Sequence, residues 1–390
     1  MSANPEQLAI EEGGPSWKLW IRLGLAPANP LPLGKRALLL ALLCWLPPLV
    51  LSAFAGLARG DQVAVPFLRD FSAYARFLFA IVLLVLADAA VAGRIRAVLA
   101  HFDSAGLIGP AMRPAFAAVL ESSRRLVSSP WAEIVMLALV GGLSFLVVQH
   151  ELHNGSPSWH ALPVEGGEAL TPAGWWYALV SMPLFQFLFL RWIFRGIVWA
   201  RVLARISRLD LHLVATHPDR AAGLAFVAIG QAGFAILVLA ASSSLAATLA
   251  DEVVYRGVAL ESLYLTMAAF AVVTTLIVLA PLLTFTPKLA GLKRDALFGY
   301  AKLSSLHDAA FDAKWRSAKA DPKALLGDPD PSSLADLATG YERARDMRPI
   351  PVNMAAVMPL LIAAALPMLP LIATKVPLRD IVKGLLKVVL

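Results

Sequence analysis

The stretch ALLLALLCWLPPLVLSAFAGL, running from Ala37 to Leu57, carries no charge over 21 residues. A helix of about 20 apolar residues spans the roughly 30 Å hydrocarbon core of a bilayer. Six further stretches of similar character follow at 73–92, 131–150, 174–194, 223–249, 262–286 and 354–374. The composition agrees: 58% of residues are hydrophobic and 16% charged, against about 45–50% and about 25% in soluble domains. Barrel strands need only about 9–11 residues of alternating polarity, whereas these runs are apolar on every face, so the backbone must satisfy itself within helices. The expected fold is all-α: a polytopic membrane protein of about seven spans, six if the last is re-entrant, with amphipathic cytoplasmic helices between them.

The basic residues give an orientation. Segments 1–36, 93–130, 191–222 and 287–353 hold 26 of the 34 Lys and Arg, whereas 58–76, 151–173 and 251–261 together hold four. Loops rich in Lys and Arg are retained in the cytoplasm, so the expected N-terminus is cytoplasmic. The chain divides accordingly into a cytoplasmic N-terminal segment (1–36), a six-span membrane domain (37–286), a cytoplasmic helical segment (287–353), and a final span with a tail (354–390). Lys375, Arg379, Lys383 and Lys387 conflict with this rule if the last run crosses. Pro359, Pro367 and Pro370 each remove a backbone donor there, and a re-entrant segment would resolve the conflict. Twenty-one residues suffice to span, and a full crossing is the favoured expectation. The tail Leu378–Lys387 reads as an amphipathic helix lying on lipid.

The first apolar run is too long for a signal peptide core and is expected to stay as an uncleaved anchor. Cys44 is the sole cysteine, which excludes an intramolecular disulfide and a thiolate metal cluster. The net charge of +7 arises from the inner loops, so the expected partners are membrane lipids with anionic headgroups and not nucleic acid. A protein partner or a second copy docking at 287–353 is the other partner expectation. No cofactor is expected.

Within 93–130, Val98, Leu99, Phe102, Phe116, Val119 and Leu120 keep helical spacing, and Gly106, Gly109 and Pro110 break it. In 287–353 the turn Asp328-Pro329-Asp330-Pro331 is followed by Ser333-Leu334-Ala335-Asp336, which reads as a capping box. Leu334, Leu337, Tyr341 and Met347 then supply an apolar stripe.

Four features have functional weight. Asp88 lies in the inner half of the second span, where an ionisable group is costly. It either pairs across a turn or two with Arg94 or Arg96, or handles a proton or cation. Arg191, Arg195, Arg201, Arg205 and Arg208 form a series in which the last three share one helical face. They fit an anion or headgroup site, or snorkelling anchors. His217-Pro218-Asp219-Arg220-Ala221-Ala222-Gly223, at the entry to the fifth span, is the sharpest local motif. Asp219 suits a helix cap, and with His217 and Arg220 it also suits a gate or ligand site. His150, Glu151, His153, His160, Glu165 and Glu168 offer metal-type donors, but their spacing matches no zinc-protease helix, and a solvated acidic loop is the expected reading.

With Ala335–Arg348 added to the His217–Gly223 motif, the chain resembles a group of bacterial integral-membrane proteins without an established function. That resemblance implies residence in the inner membrane and assigns no residue a role. There is no Gly-rich phosphate loop ending in Lys-Ser or Lys-Thr, no Gly-x-Ser-x-Gly elbow and no His-Glu-x-x-His helix. An enzyme is therefore the less favoured class. A channel or transporter-like protein for a small ion or solute is the leading expectation, since Pro183, Pro281 and the last-run prolines can expose carbonyls to a cavity that Gln231, Ser242–Ser244, Thr266, Thr274 and Thr275 line. Polar glue between helices explains the same residues. A scaffold or sensor docking a partner through 287–353, and a lipid-active enzyme, are the alternatives.

Overall fold

The computed structural model describes residues 33–60, 62–152, 158–164, 167–316 and 327–373. Seven helices in it are long and apolar enough to cross a bilayer, and the chain is an all-α, multi-pass helical membrane protein. They are α1 (Leu33–Phe54), α2 (Phe71–Ser104), α4 (Pro130–Glu151), α5 (Pro172–Ile206), α6 (Ala225–Tyr255), α7 (Leu260–Trp315) and α9 (Met354–Ala373). Two shorter helices, α3 (Arg113–Val127) and α8 (Asp330–Asp346), lie between spans. One antiparallel hairpin, β1 (Ala161–Val164) and β2 (Gly167–Leu170), pairs Ala161 with Leu170.

The helix starts follow local chemistry. Asp70, Thr171 and Asn353 each accept a hydrogen bond from a backbone N–H three residues on, capping α2, α5 and α9 at 2.9 Å. α5 and α6 form the centre, with half of their apolar windows buried, whereas α4 and α7 bury only 17% and lie at the edge. Leu265, Leu276 and Ile277 of α7, and Phe145 and Leu146 of α4, are more than 60% exposed. Such a continuous apolar surface is stable only against lipid. The buried core is built around Phe102, Trp199, Leu203, Ile206 and Phe285.

Three spans outrun their expected lengths. α2 continues to Ser104, α5 to Ile206 and α7 to Trp315, because an amphipathic extension beyond the lipid loses the apolar run while keeping the helix. α3 is the expected amphipathic piece, burying Phe116, Val119 and Leu120, and Gly106 makes the break with φ +70°. The distal part of α7 pairs with α8, whose apolar stripe ends in the buried Ala344 and Met347. The capping-box expectation fails. α8 begins at Asp330, Asp328 Oδ1 accepts from the Asp330 N–H at 2.9 Å, and Ser333 donates within the first turn to the Asp330 carbonyl at 2.8 Å.

α9 runs the length of α6. Leu360 packs with Val238 at one end, and Leu371 packs with Leu249 and Leu260 at the other. It stays helical through a 3-10 turn at Leu366–Met368, where Pro367 interrupts the ladder. This fits the full-crossing expectation. The tail 374–390 and the N-terminal segment before Leu33 lie outside the described residues.

The loops gather at two ends. At the basic end, Ile108 bridges Leu211, and the Arg348 N–H donates to the Arg220 carbonyl at 2.7 Å. At the opposite end, Val65 bridges Ser158, and the Tyr255 hydroxyl donates to the Arg69 carbonyl at 2.6 Å.

Candidate functional site

A cavity of about 300 Å³ opens at the end opposite the basic loops. α2, α5 and α6 form its walls, the loops before α2 and β1 its rim. Arg76 lies five residues inside the start of α2, about 7 Å along the helix. Its Nη2 donates to Thr248 Oγ1 at 2.9 Å, Nη1 to the Tyr177 hydroxyl at 3.3 Å, and Nε to Ser244 Oγ at 3.4 Å. Among the described residues no carboxylate pairs with it. A guanidinium has five N–H donors, so two remain beyond these three bonds.

Two carboxylates share the cavity, both anchored at the start of α2. Asp251 accepts from Ser72 Oγ at 2.6 Å and from the Ser72 and Phe71 N–H groups at 3.2 and 3.3 Å. Asp70 caps α2 through one oxygen, and through the other accepts from Trp159 Nε1 at 2.8 Å. His160 stands with Nε2 3.9 Å from the same Asp70 oxygen, its ring between those of Trp159 and Tyr177 at 3.8 and 4.3 Å. At the rim, Glu252 pairs with Arg256 at 2.8 Å.

Two walls of the cavity are wound as π-helix, over Tyr74–Ala80 in α2 and Tyr177–Ser181 in α5. Such bulges add a residue to a turn and concentrate at functional sites. Here Arg76 and Tyr177, one from each, hydrogen-bond to each other. The β-hairpin is held over this end by close approach: a Cβ on Gly174 would stand 2.0 Å from the His160 carbonyl oxygen.

Asp88 belongs to a different cluster, in the basic half of the bundle. Its expected pairing across a turn with Arg94 or Arg96 is not found. Its partner is Arg195 of α5, which is 3% exposed and also stacks on Trp192 at 4.8 Å. Arg191 feels Asp88, Arg195, Arg36 and Glu133. The Asp88–Arg195 pair thus ties α2 to α5, with Arg36 of α1, Glu133 of α4 and Arg191 of α5 within electrostatic reach. Inter-helical partners at short range are the only economical way to hold such charges within apolar spans.

The rest of the arginine series divides. Arg205 donates to Ser122 of α3, while Arg201 and Arg208 are exposed, as headgroup anchors would be. The His217–Gly223 motif is a cap in full. Asp219 accepts from the N–H groups of Ala221, Gly223 and Ala225 at 2.8, 3.1 and 3.0 Å. Those bonds hold Arg220 and Ala222 at φ +57° and +56°, a region that costs non-glycine residues about 1–2 kcal/mol each. Desolvation works to raise the Asp219 pKa, but the three backbone donors and His217 outweigh it and leave the carboxyl below its ordinary value. His217 Nδ1 is 2.8 Å from Asp219 Oδ1 and 3.3 Å from the Asp219 N–H. One nitrogen cannot serve both, and the shorter contact places the proton on Nδ1. The exposed Arg220 contributes its carbonyl to Arg348. These residues build a loop and leave little free for a ligand.

None of the polar residues expected to line a cavity lines this one; Ser244 touches it only through its bond to Arg76. Gln231 bridges Trp199 and Val278, Ser242 bonds Ala364, and Thr274 and Thr275 bond their own helix. Of the metal-type donors, His153 and Glu165 and the side chains of His150 and Glu151 lie outside the described residues. His160 belongs to the cavity, and no metal-type cluster is found among the described residues. Asp70, Arg76, Tyr177 and Asp251 are the site residues that sequence reading missed. No family model, curated protein or solved structure matches the chain.

Proposed function

We propose that this chain is a transporter-like protein of the bacterial inner membrane. It admits a small polar solute at the cavity between α2, α5 and α6 and passes it across. The observation carrying this reading is Arg76, a guanidinium inside a membrane-spanning helix, fixed by three neutral hydroxyls and facing an open cavity without a paired carboxylate. A cation near a span's end usually snorkels to the interface or pairs with a carboxylate, whereas Arg76 is held on hydroxyls at the cavity wall. With the basic loops retained in the cytoplasm, the cavity opens outward. The Asp88–Arg195 cluster then closes the cytoplasmic half. A cavity of this volume sits at the small end of ligand sites, which favours a solute over a lipid tail.

The test is flux. Purified protein in liposomes is expected to release or take up small solutes, and Arg76→Gln to abolish at least nine-tenths of that flux while remaining folded. Equal flux in wild type and Arg76→Gln would remove the cavity from the pathway.

One observation favours the scaffold reading. Beyond the apolar belt α7 and α8 form a hairpin about 25 Å long, the length of α8, on which Phe298 and Leu306 are 73% and 63% exposed. A photocrosslinker at Phe298 giving a single defined protein adduct, in a protein silent for every solute, would support it.

A further inference from the structure

Resting on the reading of the cavity as a solute site, we infer that its ligand is a small zwitterion, carrying an anionic group and an ammonium a few bonds apart. Arg76 offers its two remaining N–H donors to the anion, and planar guanidinium suits a carboxylate best. The opposite wall is acidic. Asp70 accepts two hydrogen bonds and Asp251 three, against about four lone-pair positions on each carboxylate. Both retain acceptor capacity that an ammonium can fill.

Net charge argues the same way. With Glu252 and Arg256 cancelling each other at the rim, Arg76 faces Asp70 and Asp251, so the cavity presents one cationic and two acidic side chains. A simple anion would meet two carboxylates, and a simple cation would meet an arginine. A zwitterion satisfies both sides at once. Tyr177, Tyr255 and the His160 ring supply flat apolar surface for a short carbon skeleton between the two groups. The volume of about 300 Å³ suits a small solute.

The experiment is equilibrium binding to the purified full-length protein in detergent, using L-alanine, L-leucine and glycine betaine as zwitterions, with propionate as the acid alone and ethylamine as the amine alone. At least one zwitterion is expected to bind ten-fold or more tightly than either single-charge probe. Arg76→Gln is expected to weaken that zwitterion ten-fold or more while ethylamine, relieved of a like charge, binds at least as tightly as before. Tyr177→Phe, a milder change that loosens the guanidinium, is expected to weaken it several-fold. Propionate or ethylamine binding as tightly as every zwitterion would overturn the ligand class, as would unchanged affinity in both variants, or absence of binding by the whole panel. Flux read on the same protein after reconstitution into liposomes separates the two readings: ethylamine bound and transported leaves transport standing and sinks the zwitterion, whereas a zwitterion bound but never transported does the reverse.

Discussion

Asp219 and Arg76 show what a single residue reveals at the sequence level. Asp219 is legible because its partners are two, four and six positions away, so the motif carries its own explanation. Asp219→Asn is expected to lower stability by about 1–3 kcal/mol, the cost of under-satisfied buried donors, read as a lower thermal midpoint in detergent. Its pH dependence follows from the lowered pKa. The folded carboxyl binds its proton less readily than the unfolded one, so its contribution is complete above the ordinary carboxylate range and is lost as pH falls through the folded value. An acid-side loss of stability absent from Asp219→Asn would show this; identical acid profiles would contradict it. Arg76 was not legible, since its hydroxyl partners lie 101, 168 and 172 positions away. Asp88 was half legible: the sequence marks it as costly, but its partner Arg195 is 107 positions distant. Asp88→Asn is expected to destabilise by about 3–5 kcal/mol, the scale for breaking a buried pair, and Asp88→Asn with Arg195→Leu to recover part of that loss. A double mutant no better than the sum of the singles would deny the coupling.

Elements were legible to the extent that lipid dictates them. Every span announces itself, because a backbone in hydrocarbon must be helical for its whole crossing. Helix extensions into water obey weaker rules, and α2, α5 and α7 outran their apolar runs for that reason. Ser333 and Asp336 have capping-box spacing, yet the helix already starts at Asp330, three residues earlier. The π-helical turn in α2 left no trace in the sequence, whereas the one in α5 ends where Pro183 removes a backbone donor. The hairpin over the cavity depends on Gly174. Gly174→Ala is expected to push the His160 carbonyl away, costing about 1–3 kcal/mol as overpacking does, and to weaken solute binding without altering the α7–α8 hairpin. Faster protease cleavage at the β-hairpin but not near Trp315 would be the sign; unchanged cleavage and binding would show that the close approach is easily relieved.

For the whole molecule, charge and apolarity are sorted along one axis. The basic loops and the Asp88–Arg195 cluster occupy one half, the Arg76 cavity and its hairpin the other. That sorting turns a polar hollow into a proposed outward-facing site, so the side on which the cavity opens is the most direct test. Cys44 is the sole cysteine and is fully buried, which makes Cys44→Ala a clean background for labelling. In intact cells a membrane-impermeant maleimide is expected to label Ala64→Cys at the cavity rim and to spare Ser305→Cys on α7. Labelling of Ser305→Cys with Ala64→Cys protected would invert the molecule and contradict an outward-facing cavity.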